Sequence, residues 1–380
     1  MTRGFDTAEF RDRLARAQEA MARQRLGALL VTTEADIRWI TGFLTRFWES
    51  PTRPWYVVIP AQGDPVAVIP AIGAPLMARG WLCDIRTWAA PDYRDDGVSL
   101  LADTLREVAP DGPIGTPFGL ESHLRMPLAD FARLQDAMAP AQIGTDHGII
   151  ATLRAVKSEA EITKIRAACS VADRAFARVS EIAAPGTPLA QVFRRFQMLC
   201  LEEGADWVGY LAGGARQGGY EDVISPATNL PLAPGDVLML DTGVVLDGYY
   251  CDFDRNWAIG RVTPATQSAY HQLLEASDAA FAVAAPGVTA ADLHGLMADI
   301  LGVGPEAGRL GHGLGLQLTE GLSLIPDDHT ELRPGMVLTL EPGLPTGEGR
   351  MMVHEENIVI TETGAAYLST PAPREIEVLG

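Results

Sequence analysis

The sequence predicts two domains, an α/β layered domain over residues 1–150 and an α+β domain over 151–380 built on an internal pseudo-twofold repeat. Three observations carry this. With 380 residues, the chain exceeds the size at which a single hydrophobic core stops growing, so two cores are expected. Its first part alternates apolar strands with helical stretches. Its second part repeats two motifs at an offset of about one hundred residues.

The elements follow in order. The N-terminal stretch MTRGFDTAEFRDRLARAQEAMARQRLGALLV reads as an amphipathic helix running into a strand. It lacks the apolar core of a signal peptide, so cytoplasmic residence is the expectation. GALLVT (27–32), WYVVIP (55–60) and PVAVIP (65–70) read as strands, and GVSLLADTLREVA (97–109) and PLADFARLQDAM (127–138) as helices. The stretch from Gly42 to Trp55 is dense in aromatics and arginine for a loop. Arg46, Phe47 and Trp48 are candidates to enclose a small zwitterion or a carboxylate, with core or dimer packing as the alternative.

A new helix opens at Ser158, where Ser158-Glu159-Ala160-Glu161 has the spacing of a capping box, so the domain boundary is expected near 148–157. In the second domain Ala183-Ala184-Pro185-Gly186 recurs as Ala284-Ala285-Pro286-Gly287, each time between helical segments. Leu232-Ala233-Pro234-Gly235 leads through an apolar strand to Asp241, and Leu332-Arg333-Pro334-Gly335 leads likewise to Glu341. Two equivalent acids at the ends of repeated strands are expected to converge near the pseudo-axis.

After Asp241, TGVVL and YYCDFDRNWAI read as strands joined by Asp247-Gly248, a pair suited to a type I′ turn. That turn sets Leu246 against Tyr249 and Gly243 against Asp252, which puts Asp241 and Asp252 diagonally on one face. Two carboxylates that close resist joint ionisation unless a cation lies between them, so a metal site or a shared-proton pair is expected. Asp254 has the same parity, but pairing with Arg255 or solvent keeps it out of the ligand set.

His312 lies in Gly311-His312-Gly313-Leu314-Gly315, where glycines allow close approach of the main chain to a ligand. The spacing is neither GxGxxG nor GxxxxGK, which excludes the usual nucleotide loops. His123, His147, His271, His294 and His329 read as ordinary core or surface residues. Glu341 precedes Pro342-Gly343, and Glu355 lies in His354-Glu355-Glu356-Asn357-Ile358, a strand-like segment that is not HExxH. Four carboxylates and one imidazole suit two divalent ions of the Mn, Co, Fe or Zn kind rather than a thiolate zinc.

Composition narrows the partners. A net charge of −19 disfavours nucleic acid and anionic membrane, and no apolar run approaches the length of a membrane span. Cys83, Cys169, Cys200 and Cys251 form no CxxC pair and read as reduced core residues.

These residues resemble the pita-bread metalloenzymes, a family that includes methionine aminopeptidase, aminopeptidase P, prolidase, creatinase and a dimethylsulfoniopropionate lyase. The likeness spans nearly the whole chain. It rests on Arg154-Ala155-Val156-Lys157-Ser158-Glu159, the Asp241 to Asp252 segment, the glycine-flanked His312, Leu340-Glu341-Pro342-Gly343 and His354-Glu355-Glu356-Asn357. It implies a creatinase-like N-terminal domain and commonly a homodimer whose neighbouring subunit helps close the pocket, a place Arg46, Phe47 and Trp48 would fill. It also implies that Asp241 chelates one ion, that His312 and Glu341 hold the other, and that Asp252 and Glu355 bridge them. A water between the metals is then the nucleophile for a C–N bond, as in Xaa-Pro dipeptidases and aminopeptidases.

Two departures bear on the substrate. Family peptidases resemble one another in a histidine some seventeen or eighteen residues before the first aspartate ligand, where this chain has Val223 and Ile224. They also carry one seven residues after the metal histidine, where it has Thr319. Thr319, Tyr220 and Arg216 are the candidate replacement donors. A small-solute amidohydrolase of the creatinase or ectoine-hydrolase kind, a C–S lyase and a catalytically silent binding protein on the same fold are the competing readings.

Overall fold

The computed structural model describes residues 3–48, 54–110 and 112–380. The chain divides into two compact units, Met1–Arg154 and Ala155–Gly380.

The first unit runs α1 (Thr7–Gln24), β1 (Ala28–Val31), α2 (Glu34–Thr41), β2 (Tyr56–Pro60), β3 (Val66–Pro70), α3 (Ala74–Met77), β4 (Asp84–Trp88), α4 (Val98–Val108), β5 (Ile114–Thr116), α5 (Leu128–Met138) and β6 (Ile143–Thr145). Its sheet has the order β4-β3-β2-β1-β5-β6. β1, β2 and β3 are buried at every position, as unbroken apolar strands are when both faces of a sheet are covered. Leu101, Leu105, Leu134 and Met138 of α4 and α5 pack on Leu30, Tyr56 and Val58.

A short helix, α6 (Ile149–Ala155), leads to α7 (Glu159–Phe176), whose Ser158 and Glu161 form the reciprocal capping box. Then come α8 (Leu189–Glu202), β7 (Trp207–Gln217), β8 (Asp236–Leu246), β9 (Tyr249–Tyr250), β10 (Phe253–Ile259), α9 (Pro264–Val283), α10 (Ala290–Leu301), β11 (Val337–Leu340), β12 (Gly343–Gly347), β13 (Arg350–Val353), β14 (Glu356–Ile360), β15 (Ala365–Tyr367) and β16 (Glu377–Leu379). The larger sheet has the order β16-β10-β8-β7 with β9 on β8, a second has β11-β14-β15, and β12 pairs with β13.

The repeat is visible in hydrogen bonds. Gly186 N–H donates to Leu232 O at 2.8 Å, and Gly287 N–H donates to Leu332 O at 3.0 Å. Leu232 N–H returns to Thr187 O at 2.9 Å, and Leu332 N–H returns to Val288 O at 2.8 Å. Gly186 and Gly287 adopt φ of 89° and 90°, a left-handed conformation open to glycine at little cost. Apolar residues of both copies, Val237 and Met239 with Leu338 and Leu340, share one core with α9 and α10.

Asp247 and Gly248 both have positive φ, 50° and 86°, as a type I′ turn requires. Leu246 pairs with Tyr249 and, past a break at residues 251–252, Asp241 pairs with Asp254 in the same register. Three placements differ from expectation. Glu341 and Glu355 sit just outside strand ends, because Pro342 stops β11 and β14 begins at Glu356. Cys83 is exposed, while Cys169, Cys200 and Cys251 are buried.

Candidate metal centre

Asp252, His312 and Glu355 each offer a ligand atom within 4.8 Å of the other two, and all three are buried. The His312 Nε2 to Asp252 Oδ2 distance is 3.4 Å. The other ring nitrogen of His312, Nδ1, lies 2.9 Å from Gly313 O. A carbonyl can only accept, so Nδ1 carries a proton and Nε2 faces the carboxylates, the ring orientation that a metal-ligating histidine needs.

Burial pushes the Asp241, Asp252 and Glu355 carboxyls well above the ordinary carboxylate range, and the neighbouring carboxylates add to the effect. Glu341 is raised for the same first reason, while His312 and Arg309 draw it partly back. Asp241 Oδ1, Asp252 Oδ1 and Glu355 Oε1 are buried with no hydrogen-bond partner among the described residues. Unpaired buried carboxylate oxygens are costly, and a converging set of them beside an imidazole nitrogen fits divalent cations. Asp241 and Glu341 lie close enough to Asp252 and Glu355 for their charges to act on one another, so the five candidate residues form one electrostatic cluster.

The ligands are held from behind. The Asn357 side chain mimics a peptide group, with Oδ1 accepting Asp252 N–H at 2.9 Å and Nδ2 donating to Asp252 O. Asp254 Oδ1 accepts Glu355 N–H at 2.7 Å, and its Oδ2 accepts Asn256 Nδ2 at 3.1 Å. The expected pairing of Asp254 with Arg255 or solvent is thus replaced. Asp254 is 1% exposed, and its carboxylate is committed to the Glu355 backbone and Asn256, with the His354 ring 3.6 Å away.

The glycines around His312 serve the loop itself. A Cβ on Gly311 would fall 2.3 Å from Thr339 O, and one on Gly313 would fall 2.2 Å from Glu320 O. The close approach they permit is to neighbouring backbone.

Of the candidate donors, Thr319 follows Leu318 in the turn beside the Asp241 strand. Its neighbour Leu318 lies over Gly243, two residues from Asp241 on the same strand face. Tyr220 is fully buried, and its hydroxyl accepts Val353 N–H, so it completes the Asn256 and Asp254 support instead of facing a substrate. Arg216 pairs with Val237, four positions from the Ala212 partner of Asp241, or roughly 13 Å along the strand. It lines a separate hollow with Leu189, Glu221 and Asp222.

In the first unit Arg46 and Phe47 are exposed. Trp48 packs against Trp55 at 5.8 Å between ring centroids and lies under the Arg125 guanidinium at 5.0 Å. Residues 49–53 of this stretch lie outside the described residues.

Two site residues escaped the sequence reading. Tyr210 on β7 lies near enough to the Asp241 carboxylate to draw its pKa partly back, and its own hydroxyl is raised, first by burial and then by Asp241, Asp252, Glu355 and Glu341. Exposed Arg309, three residues before His312, counters the upward shift of both Asp252 and Glu341. The Tyr210 signal was available in principle, since the strand pairing with β8 sets it against Gly243.

Residues 163–362 match the family model of metallopeptidase family M24. The chain belongs to this family. Residues 13–156 match the Creatinase/Prolidase N-terminal domain, so the fold is a creatinase-type N-terminal domain followed by a pita-bread M24 domain. Over 390 residues the M24 chain is 30% identical to the probable dipeptidase PepE of Mycobacterium tuberculosis, an alignment covering 100% of this chain and 99% of that one. It is 31% identical over 235 residues to the Xaa-Pro dipeptidase of Pyrococcus horikoshii, covering 60% and 66%. The crystal structure of dipeptidase PepE from Mycobacterium ulcerans superposes with a TM-score of 0.84 at 29% identity, over 99% of both chains. As an M24 member the protein is a metal-dependent hydrolase that uses divalent metal ions. No helix among the described residues is long and apolar enough to cross a membrane.

Proposed function

We propose that this M24 enzyme is a dinuclear dipeptidase that hydrolyses the C–N bond of Xaa-Pro dipeptides. The observation carrying the proposal is the set of buried carboxylate oxygens without hydrogen bonds, gathered about Nε2 of His312. Asp241 would chelate one ion, His312 and Glu341 the other, and Asp252 and Glu355 would bridge the pair. Manganese is the proposed metal, with cobalt, zinc or iron as substitutes. Bound there, two divalent cations would supply Lewis acidity and acidify a water into a nucleophile.

The chain's own residues do the rest. Asn357 and Asp254 fix the backbones of the two bridging ligands. Thr319 is the proposed donor toward the substrate carbonyl, while Leu318 and Tyr210 wall the pocket over Gly243. Arg46, Phe47 and Trp48 are proposed to help enclose the substrate, from the neighbouring subunit of a cytoplasmic homodimer.

A screen of the manganese-loaded protein against Xaa-Pro dipeptides, with proline release as the readout, tests this. Silence toward every dipeptide alongside turnover of a creatine-like or ectoine-like amide would replace it with the small-solute reading. That second reading draws on the residues where family peptidases carry imidazoles: Ile224 is 83% exposed and Val223 packs against the core. Reaction in labelled water separates both from a C–S lyase, since only hydrolysis incorporates the solvent oxygen.

A further inference from the structure

Lys157 and Glu320 form an ion pair that the metal centre does not use. Lys157 Nζ lies 3.1 Å from Glu320 Oε1, with side-chain exposures of 2% and 7%. Removing two charges from water costs several kcal/mol per ion, so such a pair adds little net stability and is best retained where it specifies one geometry. The surroundings indicate which geometry that is.

Lys157 is fixed in place. Its N–H donates to Gly335 O at 2.9 Å, in the turn that launches β11 toward Glu341, and Nζ also donates to Ala155 O at 3.2 Å. Glu320 closes the turn that follows His312. Its N–H donates to Gly313 O at 2.8 Å, and its Oε2 accepts Gln317 N–H at 3.1 Å. A Cβ on Gly315 would fall 2.4 Å from Glu320 Oε1 and 2.9 Å from Lys157 Cε, so the third glycine of the motif leaves room for the ion pair. The closed turn delivers Leu318 onto Gly243, where a Cβ would meet Leu318 Cδ1 at 2.4 Å. Thr319 stands between Leu318 and Glu320.

We propose that Lys157 and Glu320 are a positioning pair that fixes the turn at residues 313–320 and so holds Leu318 and Thr319 against the substrate. The pair reaches substrate and not metal, because His312 is secured independently. Its carbonyl accepts Thr339 N–H at 2.7 Å and its N–H donates to Thr339 Oγ1 at 3.3 Å. Loss of either charge frees the turn while leaving the five ligands in place. The inference rests on the dipeptidase reading only where turnover is the readout.

The test compares Lys157→Met, Glu320→Gln, their double variant and Lys157→Arg in metal-loaded protein. Three quantities are read: manganese per chain, amide hydrogen exchange across 313–320, and kcat and KM on Ala-Pro. Each single variant is expected to keep wild-type manganese, to speed exchange at Gln317 and Glu320 about tenfold or more, and to lower kcat/KM about 30- to 100-fold. The double variant should be no worse than either single one, because both remove one interaction. Lys157→Arg should recover most of the loss.

Single variants with a lower Tm but wild-type exchange and kcat/KM would overturn the proposal, as would additive losses in the double variant. If one single variant fails to fold, Lys157→Arg and the double variant carry the comparison. If wild-type protein cleaves no dipeptide, the peptidase reading falls, while exchange and manganese content still decide the role of the pair.

Discussion

The two copies of the repeat start from the same hydrogen-bonded turn and end in the same kind of residue, yet they build the metal site differently. In the first copy β8 continues five residues past Asp241 and is flanked by the eleven-residue β7. In the second copy β11 stops at Leu340, and the place beside it is taken by the glycine-broken segment of His312, with Gly313 bridging to Leu338. The return strands differ as well. Asp241 has Asp254 directly opposite and takes its ligand neighbour, Asp252, from the diagonal position. Leu340 pairs with Glu356, so the same register carried one step on sets Glu341 against Glu355.

That difference assigns work. In the first copy the directly opposed acid, Asp254, holds the Glu355 amide of the second copy. The second copy reciprocates through Asn357, which holds the Asp252 backbone of the first. Each copy thus supplies candidate ligands and braces one that the other supplies. The largest effects should come from the bridging positions themselves. Asp252→Asn and Glu355→Gln, one from each copy, are expected to lose bound metal and to lower activity by more than about 100-fold, since changes behind the ligands alone cost roughly 10- to 100-fold. Metal analysis of protein purified without chelator, together with turnover, checks this. Stoichiometric metal in both variants would break the ligand assignment.

The braces come next. Asp254→Asn and Asn357→Ala should each weaken metal affinity about 10- to 100-fold while the chain stays folded. Competition with a metal chelator measures the affinities. If the reciprocity is real, the two losses are of similar size. A large loss for one and none for the other would show that only one copy depends on its partner.

Without metal, the raised carboxyls set the pH dependence. Their folded pKa values lie above their unfolded ones, so the folded state favours the protonated form. The stabilisation is full below the ordinary carboxylate range and is lost as pH rises through the raised values. Each unit of upward shift then costs about 1.4 kcal/mol on ionisation. Chelator-treated protein should therefore lose Tm toward neutral pH, and manganese should restore it. Metal-free Asp252→Asn, with one charge fewer, should lose less. Equal losses in the two proteins would contradict the electrostatic account.

Much of this was legible in the sequence, because the repeated Pro-Gly turns and the Asp247-Gly248 hairpin each fix backbone geometry locally. They sufficed to single out the three residues that cluster, Asp252, His312 and Glu355, and the two acids beside them. The braces were less legible because they depend on contact between the copies. Asp254 meets Glu355 across 101 positions of chain, and no local pattern announces such a pairing. Tyr220 and Arg216 were misplaced for a related reason: both lie close in sequence to the site strands, but one is sealed behind Asp254 and the other has run past the site along β7. The partners that need the room left by the glycines around His312, Thr339, Glu320 and Lys157, come from elsewhere in the fold.

The smallest expected effect isolates what β7 contributes to the first copy and has no counterpart beside the His312 segment. Tyr210 reaches Asp241 from the partner strand of β8, with a bulge between Val208 and Tyr210 setting its place in the register. Its hydroxyl is kept protonated by burial and by the surrounding carboxylates, so it can only donate to Asp241. Tyr210→Phe removes that donor and keeps the ring beside Leu318 and Gly243. A loss of about 2- to 10-fold in affinity for the ion held by Asp241 is expected, the net worth of one ordinary hydrogen bond, with the His312 side of the centre unaffected. Stepwise metal titration by calorimetry separates the two ions. A change confined to one of the two ions would place Tyr210 with the first copy alone, and equal changes at both would mean that the two copies respond as one unit.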